Sequence, residues 1–178
     1  SASIGGVGSI YLNAAASSAD TAYISAAANA TITNLPGHTI SGSGNVYAPL
    51  VNSGVLRGSP TDPDAVLRLR GPITQFGGFV TADKGDVALQ GAAITGGTFN
   101  TALTGGAIIT VGNSSSVTDT VSFGPLHVEN NSSLDLINYS NNGTIFVNPS
   151  SGINFTAVRF PGTQSLLGVG VVRLNASG

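Results

Sequence analysis

Eight carboxylates, six Lys or Arg residues and two histidines carry most of the chemistry open to this 178-residue chain. The carboxylates are Asp20, Asp62, Asp64, Asp83, Asp86, Asp119, Glu129 and Asp135. Glycoside hydrolysis generally needs two acids facing one sugar bond. Asp62 and Asp64 stand two apart, but in the proline-broken stretch Ser59-Pro60-Thr61-Asp62-Pro63-Asp64, and Asp83 and Asp86 flank a turn. Aspartate in such places readily bonds its own backbone, so turn formation is the first expectation. Calcium ligation and acid–base catalysis are the alternatives. The glycine- and aspartate-rich calcium nonapeptide is absent, so no cofactor is expected, with Ca²⁺ the one left open.

Arg57, Arg68 and Arg70 hold half of the basic charge within a short span. Stacked strands would bring Arg57 near one of the other two, forming a cationic stripe beside Asp62 and Asp64. These five residues are the candidate ligand site, suited to an acidic sugar or a partner protein. The plainer alternative is a solvated face whose local ion pairs are worth little. His38 and His127 lie far apart in sequence without an acidic or nucleophilic neighbour of recognised spacing, and both are expected on the surface of strands. Without cysteine there is no disulfide, thiolate metal site or thiol nucleophile. No Gly-x-Ser-x-Gly elbow occurs in a strand-to-helix setting, and Gly5-Gly6-Val7-Gly8 and Gly42-Ser43-Gly44 open no helix that would cradle phosphate. No catalytic residue is assigned. Most phenylalanines are expected inside, whereas Tyr11, Tyr23, Tyr47 and Tyr139 offer sugar-stacking platforms wherever they are exposed. Asn-x-Ser/Thr sequons at Asn29, Asn113, Asn142, Asn154 and Asn175 follow from a composition this rich in Asn, Ser and Thr, and matter only if the source glycosylates.

The elements that must position these residues are short strands after tight turns. In Asn141-Asn142-Gly143-Thr144-Ile145-Phe146-Val147 the turn supplies the positive φ that Gly and Asn tolerate. The residues after it alternate as a half-buried strand does. Related units occur at Asn52-Ser53-Gly54-Val55-Leu56, Phe76-Gly77-Gly78-Phe79-Val80, Thr95-Gly96-Gly97-Thr98-Phe99 and Phe123-Gly124-Pro125-Leu126-His127-Val128. The last glycines run 54, 78, 97, 124, 143 and 170, in steps of 24, 19, 27, 19 and 27 residues. That spacing marks stacked one-dimensional repeats. A strand and a turn cannot bury an apolar face alone, so each copy must stack on the next as a solenoid.

Charged residues make up 8% of the chain and hydrophobic ones 41%, with 25 glycines and a net charge of −2. Near-neutrality gives no reason to expect nucleic acid or anionic membrane as a partner. The longest apolar run, Leu166 to Val172, is too short to insert across a bilayer. Helix formers are scarce beyond the Ala-rich beginning, so the expected class is all-β. One β-solenoid domain is expected over 1–178, with Ala/Ser-rich first coils or a cap over 1–34 and clearer repeats over 35–178. At roughly 22 residues per coil and about 4.8 Å per rung this makes seven or eight coils.

The segments Thr39 to Val46, Leu50 to Leu56, Gly91 to Phe99 and Asn141 to Ile145 resemble the β-strand repeat regions of large bacterial surface adhesins of the autotransporter type. The likeness spans about residues 30 to 178 and lies in the order of the units. It implies a right-handed parallel β-helix, exported to the cell surface, serving as a stalk or adhesive rod of a longer protein. The family has no catalytic motif to carry over. The first expectation is therefore a non-catalytic extracellular module that associates end to end with copies or neighbouring repeats and that meets cell-surface glycans. The alternative is a carbohydrate-active β-helix, a polysaccharide lyase or a tailspike-like glycan binder, working at the Arg57, Arg68, Arg70, Asp62 and Asp64 region. An ice-binding role would need a regular Thr array on a flat face, and the uneven repeat argues against one. Open strand edges at the ends favour structure over catalysis.

Overall fold

The computed structural model describes residues 1–15, 21–101, 105–150 and 152–175. Within them 22 strands, numbered in chain order, wind into a parallel β-solenoid, and every strand pairing is parallel. The coil has three faces. The first is an eight-stranded sheet of β1 (Ala2–Ile4), β4 (Ile32–Asn34), β6 (Leu50–Asn52), β9 (Pro72–Gln75), β12 (Ala93–Thr95), β15 (Ser114–Thr118), β18 (Ser133–Ile137) and β21 (Ala157–Arg159). The second holds β2 (Gly8–Asn13), the first part of β5 (His38–Val46), β7 (Val55–Arg57), β10 (Phe79–Ala82), β13 (Thr98–Thr101), β16 (Val121–Phe123) and β19 (Ser140–Asn141). The third holds β3 (Tyr23–Ile24), the end of β5, β8 (Val66–Leu69), β11 (Asp86–Leu89), β14 (Ile108–Thr110), β17 (Pro125–Val128), β20 (Thr144–Val147) and β22 (Val171–Leu174).

Period-two alternation dictates what points inward. In β8, Leu67 and Leu69 are fully buried while Val66 and Arg68 face out. On the first face one apolar ladder runs Ile32, Leu50, Ile73, Ile94, Val117, Leu136, each residue paired with the next and none more than 7% exposed. The second face stacks Ile40, Leu56, Val80 and Phe99, and then turns polar at Ser122 and Asn141. At roughly 1.5–3 kcal/mol for each fully buried aliphatic side chain, these ladders hold the coils together.

The interior holds more than apolar ladders. Where the first face turns into the second, Asn34, Asn52 and Gln75 stack as a buried amide column. His38 Nδ1–H donates to Asn34 Oδ1 at 2.8 Å, Asn34 Nδ2 donates to Asn52 Oδ1 at 2.7 Å, and Asn52 Nδ2 donates to Gln75 Oε1 at 2.6 Å. His38 is 5% exposed, so its expected surface position is wrong: its imidazole starts this buried chain. The expectation that most phenylalanines pack inside also fails. Phe99 is buried, Phe146 is half-buried, and Phe76, Phe79, Phe123, Phe155 and Phe160 are exposed. In a thin coil most inward places are filled by Leu, Ile and Val, and the larger rings take outward rows.

The glycine register divides between two corners. Gly54, Gly78 and Gly97 turn the first face into the second, whereas Gly124, Gly143 and Gly170 turn the second into the third. Both columns exist for the same reason. A Cβ on Gly97 would lie 2.5 Å from Gln75 Cβ, and one on Gly143 would lie 2.0 Å from the Gly124 carbonyl oxygen. The uneven repeat is absorbed at corners, as in the 58–65 excursion between β7 and β8. Strand registers therefore stay aligned. One outer row of the first face reads Thr33, Val51, Thr74, Thr95, Thr118, four threonines interrupted by one valine. Threonine is a good β-former on such a half-exposed surface, which accounts for the row.

Candidate functional site

The five residues of the sequence-predicted site are divided by the corner between the second and third faces. Arg57 projects from β7 on the second face, while Arg68 on β8 and Arg70 just after it belong to the third. Arg57 Nε donates to Asp83 Oδ2 at 2.9 Å, and its Nη2 meets the same oxygen. Its partner is thus a turn residue of the following coil. The pair is partly exposed, so it adds little stability. Arg70 Nε donates to Asn45 Oδ1 at 2.8 Å, and its guanidinium lies 5.3 Å from the centre of the Tyr47 ring. Tyr47 in turn meets Tyr23 edge to face at 6.2 Å. Arg68 Nη1 reaches the Val66 carbonyl at 3.4 Å.

The excursion between them is organised by its own backbone. Ser59 is fully buried and its Oγ accepts the N–H groups of Thr61, at 3.3 Å, and Asp62, at 3.0 Å. Asp62 Oδ1 accepts the Asp64 N–H at 2.9 Å, the turn bond expected of an aspartate there. Ser59, which sequence reasoning passed over, is the anchor of this loop: its carbonyl also accepts the N–H groups of Lys84 and Gly85 from the next coil. Only its place beside Pro60 hints at this in the sequence. Of the four tyrosines, Tyr11, Tyr23 and Tyr47 are exposed as a platform requires, and Tyr139 is not, being 1% exposed in the core beside Ser122. Burial pushes its phenol far above the ordinary tyrosine value. Asp20 lies outside the described residues.

A second group that the sequence did not single out sits on the third face. Asp86, His127, Phe146 and Arg173 all point outward from strands β11, β17, β20 and β22. His127 packs edge to face on Phe146 at 5.1 Å, and the Arg173 guanidinium lies 5.8 Å from the centre of the same ring. His127 Nδ1 is 3.6 Å from Glu129 Oε1, and Glu129 Oε2 accepts the Ser150 hydroxyl at 2.5 Å. His127 is therefore a strand-surface residue, as predicted, but with an acidic neighbour two positions on. Asp86 Oδ1 accepts the Ala107 N–H at 2.8 Å. Burial raises the Asp86 carboxyl above its ordinary value; the Ala107 N–H and His127 oppose this and Glu129 adds to it. Among the described residues no three His, Asp or Glu side chains converge as a metal site.

Among the described residues, shallow recesses mark the surface toward the later coils, three of them as follows. One of about 400 Å³ lies between Val147 and Leu174, and one of about 210 Å³ lies between Asn113 and Arg159. The largest, about 520 Å³, runs along the glycine corner between the second and third faces, beside Phe146. No family model matches the chain, nor does any curated protein or any solved structure.

Proposed function

We propose that this chain is an extracellular, non-catalytic structural module: a stalk, adhesive rod or filament subunit of a bacterial surface protein, akin to the adhesin repeats its units resemble. The observation that carries the reading is the unbroken stack of parallel coils held in register. On the third face Val172 and Leu174 continue the inner ladder of Ile145 and Val147. A ladder of this kind lengthens by stacking one more coil upon it, which is how a solenoid gains reach. In this reading the further coil is supplied by neighbouring repeats or by a second copy joined end to end. Reach and stiffness follow from the stack, and outward faces make the contacts.

A carbohydrate-active β-helix is the second reading, favoured by Arg70 lying over Tyr47 next to Tyr23, an aromatic and cationic strip suited to a uronate. It ranks below the first because Asp62 spends a carboxylate oxygen on its own turn.

Negative-stain microscopy with light scattering tests the proposal. Filaments of one coil's width, lost in the double variant V172K/L174K, identify a self-assembling subunit. Uniform short rods identify a stalk segment and dismiss end-to-end assembly of this chain. Compact, non-rod particles, or turnover of polygalacturonate or neutral polysaccharides, would overturn the structural reading.

A further inference from the structure

The recess at the glycine corner has the makings of a ligand groove that the candidate arginines do not account for. Its floor is backbone. Gly106, Gly124 and Gly143 succeed one another on adjacent coils, and the stack leaves no room for side chains there: a Cβ on Gly106 would fall 2.4 Å from the Gly85 carbonyl oxygen. The result is a trough along the solenoid with bare peptide groups at its base. Pro125 and Phe146 form its apolar wall, and Phe146 is held in place between His127 and Arg173. Asn142 and Thr144 supply an amide and a hydroxyl from the same side. Among the described residues, none that lines the groove has an ionisable side chain.

We propose that this groove binds an uncharged oligosaccharide segment. A sugar ring presents C–H groups on one face and hydroxyls at its rim. An apolar wall beside amide, hydroxyl and backbone groups matches both, and the lack of lining charge disfavours a uronate. A volume of about 520 Å³ falls within the range of roughly 300–1,000 Å³ typical of small-ligand sites. The trough follows the coil axis, so a linear glycan would lie along the rod. The proposal stands apart from the rod reading, since binding here needs no end-to-end contact.

Saturation-transfer NMR with cellotriose, maltotriose and N,N′,N″-triacetylchitotriose as probes tests it on the full chain. Native protein should transfer magnetisation to at least one probe. Thr144→Arg, which fills the trough from an outward position, should weaken that binding about ten-fold or more. Phe146→Ala should weaken it too, but its loss of packing makes Thr144→Arg the deciding variant. Thr33→Arg, on the first face, should leave binding unchanged. Absence of transfer to all three probes, binding indifferent to Thr144→Arg, or displacement of the neutral probe by trigalacturonate would each overturn the proposal.

Discussion

At the scale of single residues, polar groups inside the coil are the most constrained. Asn52 sits between Asn34 and Gln75, accepting from one and donating to the other. Asn52→Leu would fit the ladder in shape but leave Asn34 Nδ2 and Gln75 Oε1 without those partners. Unsatisfied buried groups cost roughly 1–3 kcal/mol each, so a loss of about 3 kcal/mol is expected, read as a lower urea midpoint at unchanged slope. Asp86 should behave oppositely. Its folded carboxyl holds a proton more tightly than the unfolded one because burial penalises the charge. Its contribution to stability is therefore fullest below the ordinary carboxylate value and is lost as pH rises through the raised folded one. Asp86→Asn keeps the acceptor for the Ala107 N–H and removes the charge. Urea unfolding should find the variant more stable at neutral pH, with the gain vanishing as pH falls below the ordinary carboxylate value.

At the scale of elements, the corners decide the architecture and the strands fill it. Two glycines of one chain illustrate the difference. Gly143 faces the Gly124 carbonyl at a distance no Cβ can occupy, while Gly77, at φ +72°, has open space around it. Gly143→Ala must push adjacent coils apart and is expected to cost at least about 3 kcal/mol. Gly77→Ala meets only left-handed strain, about 1–2 kcal/mol. Thermal unfolding of the two variants side by side measures the gap, and equal losses would refute the close-packed corner. The excursion at 58–65 works in the same way: Ser59 binds the loop to the following turn, so a long insertion leaves β7 and β8 in register with their neighbours.

At the scale of the whole molecule, stability should grade along the axis. Each coil touches mainly the next, so interior coils have two packed neighbours and terminal coils have one. Amide hydrogen exchange should be slowest in β8 to β14, where Leu67, Val80, Val87 and Ile94 are buried on both sides, and fastest in β21 and β22, whose residues are largely exposed. Uniform protection from end to end would mean that the last coil is covered in solution, the signature of assembly.

Much of this was legible in the order of residues alone. Alternation in stretches such as Val66-Leu67-Arg68-Leu69 set the faces, glycine turns set the corners, and their recurrence set a stacked all-β coil, because these signals are local and repeat. Asp62 as a turn residue was equally local. What the sequence could not express was which corner a turn occupies. Gly97 and Gly124 carry the same signature but belong to different columns, since only stacking distinguishes one edge of the coil from another. The same limit hid the division of Arg57 from Arg68 and Arg70, the burial of His38, and the outward phenylalanines. It hid the groove as well, because a trough floored by glycines exists only when three coils lie in register. Local pattern determines what each strand and turn must be; the stack alone decides which of them meet.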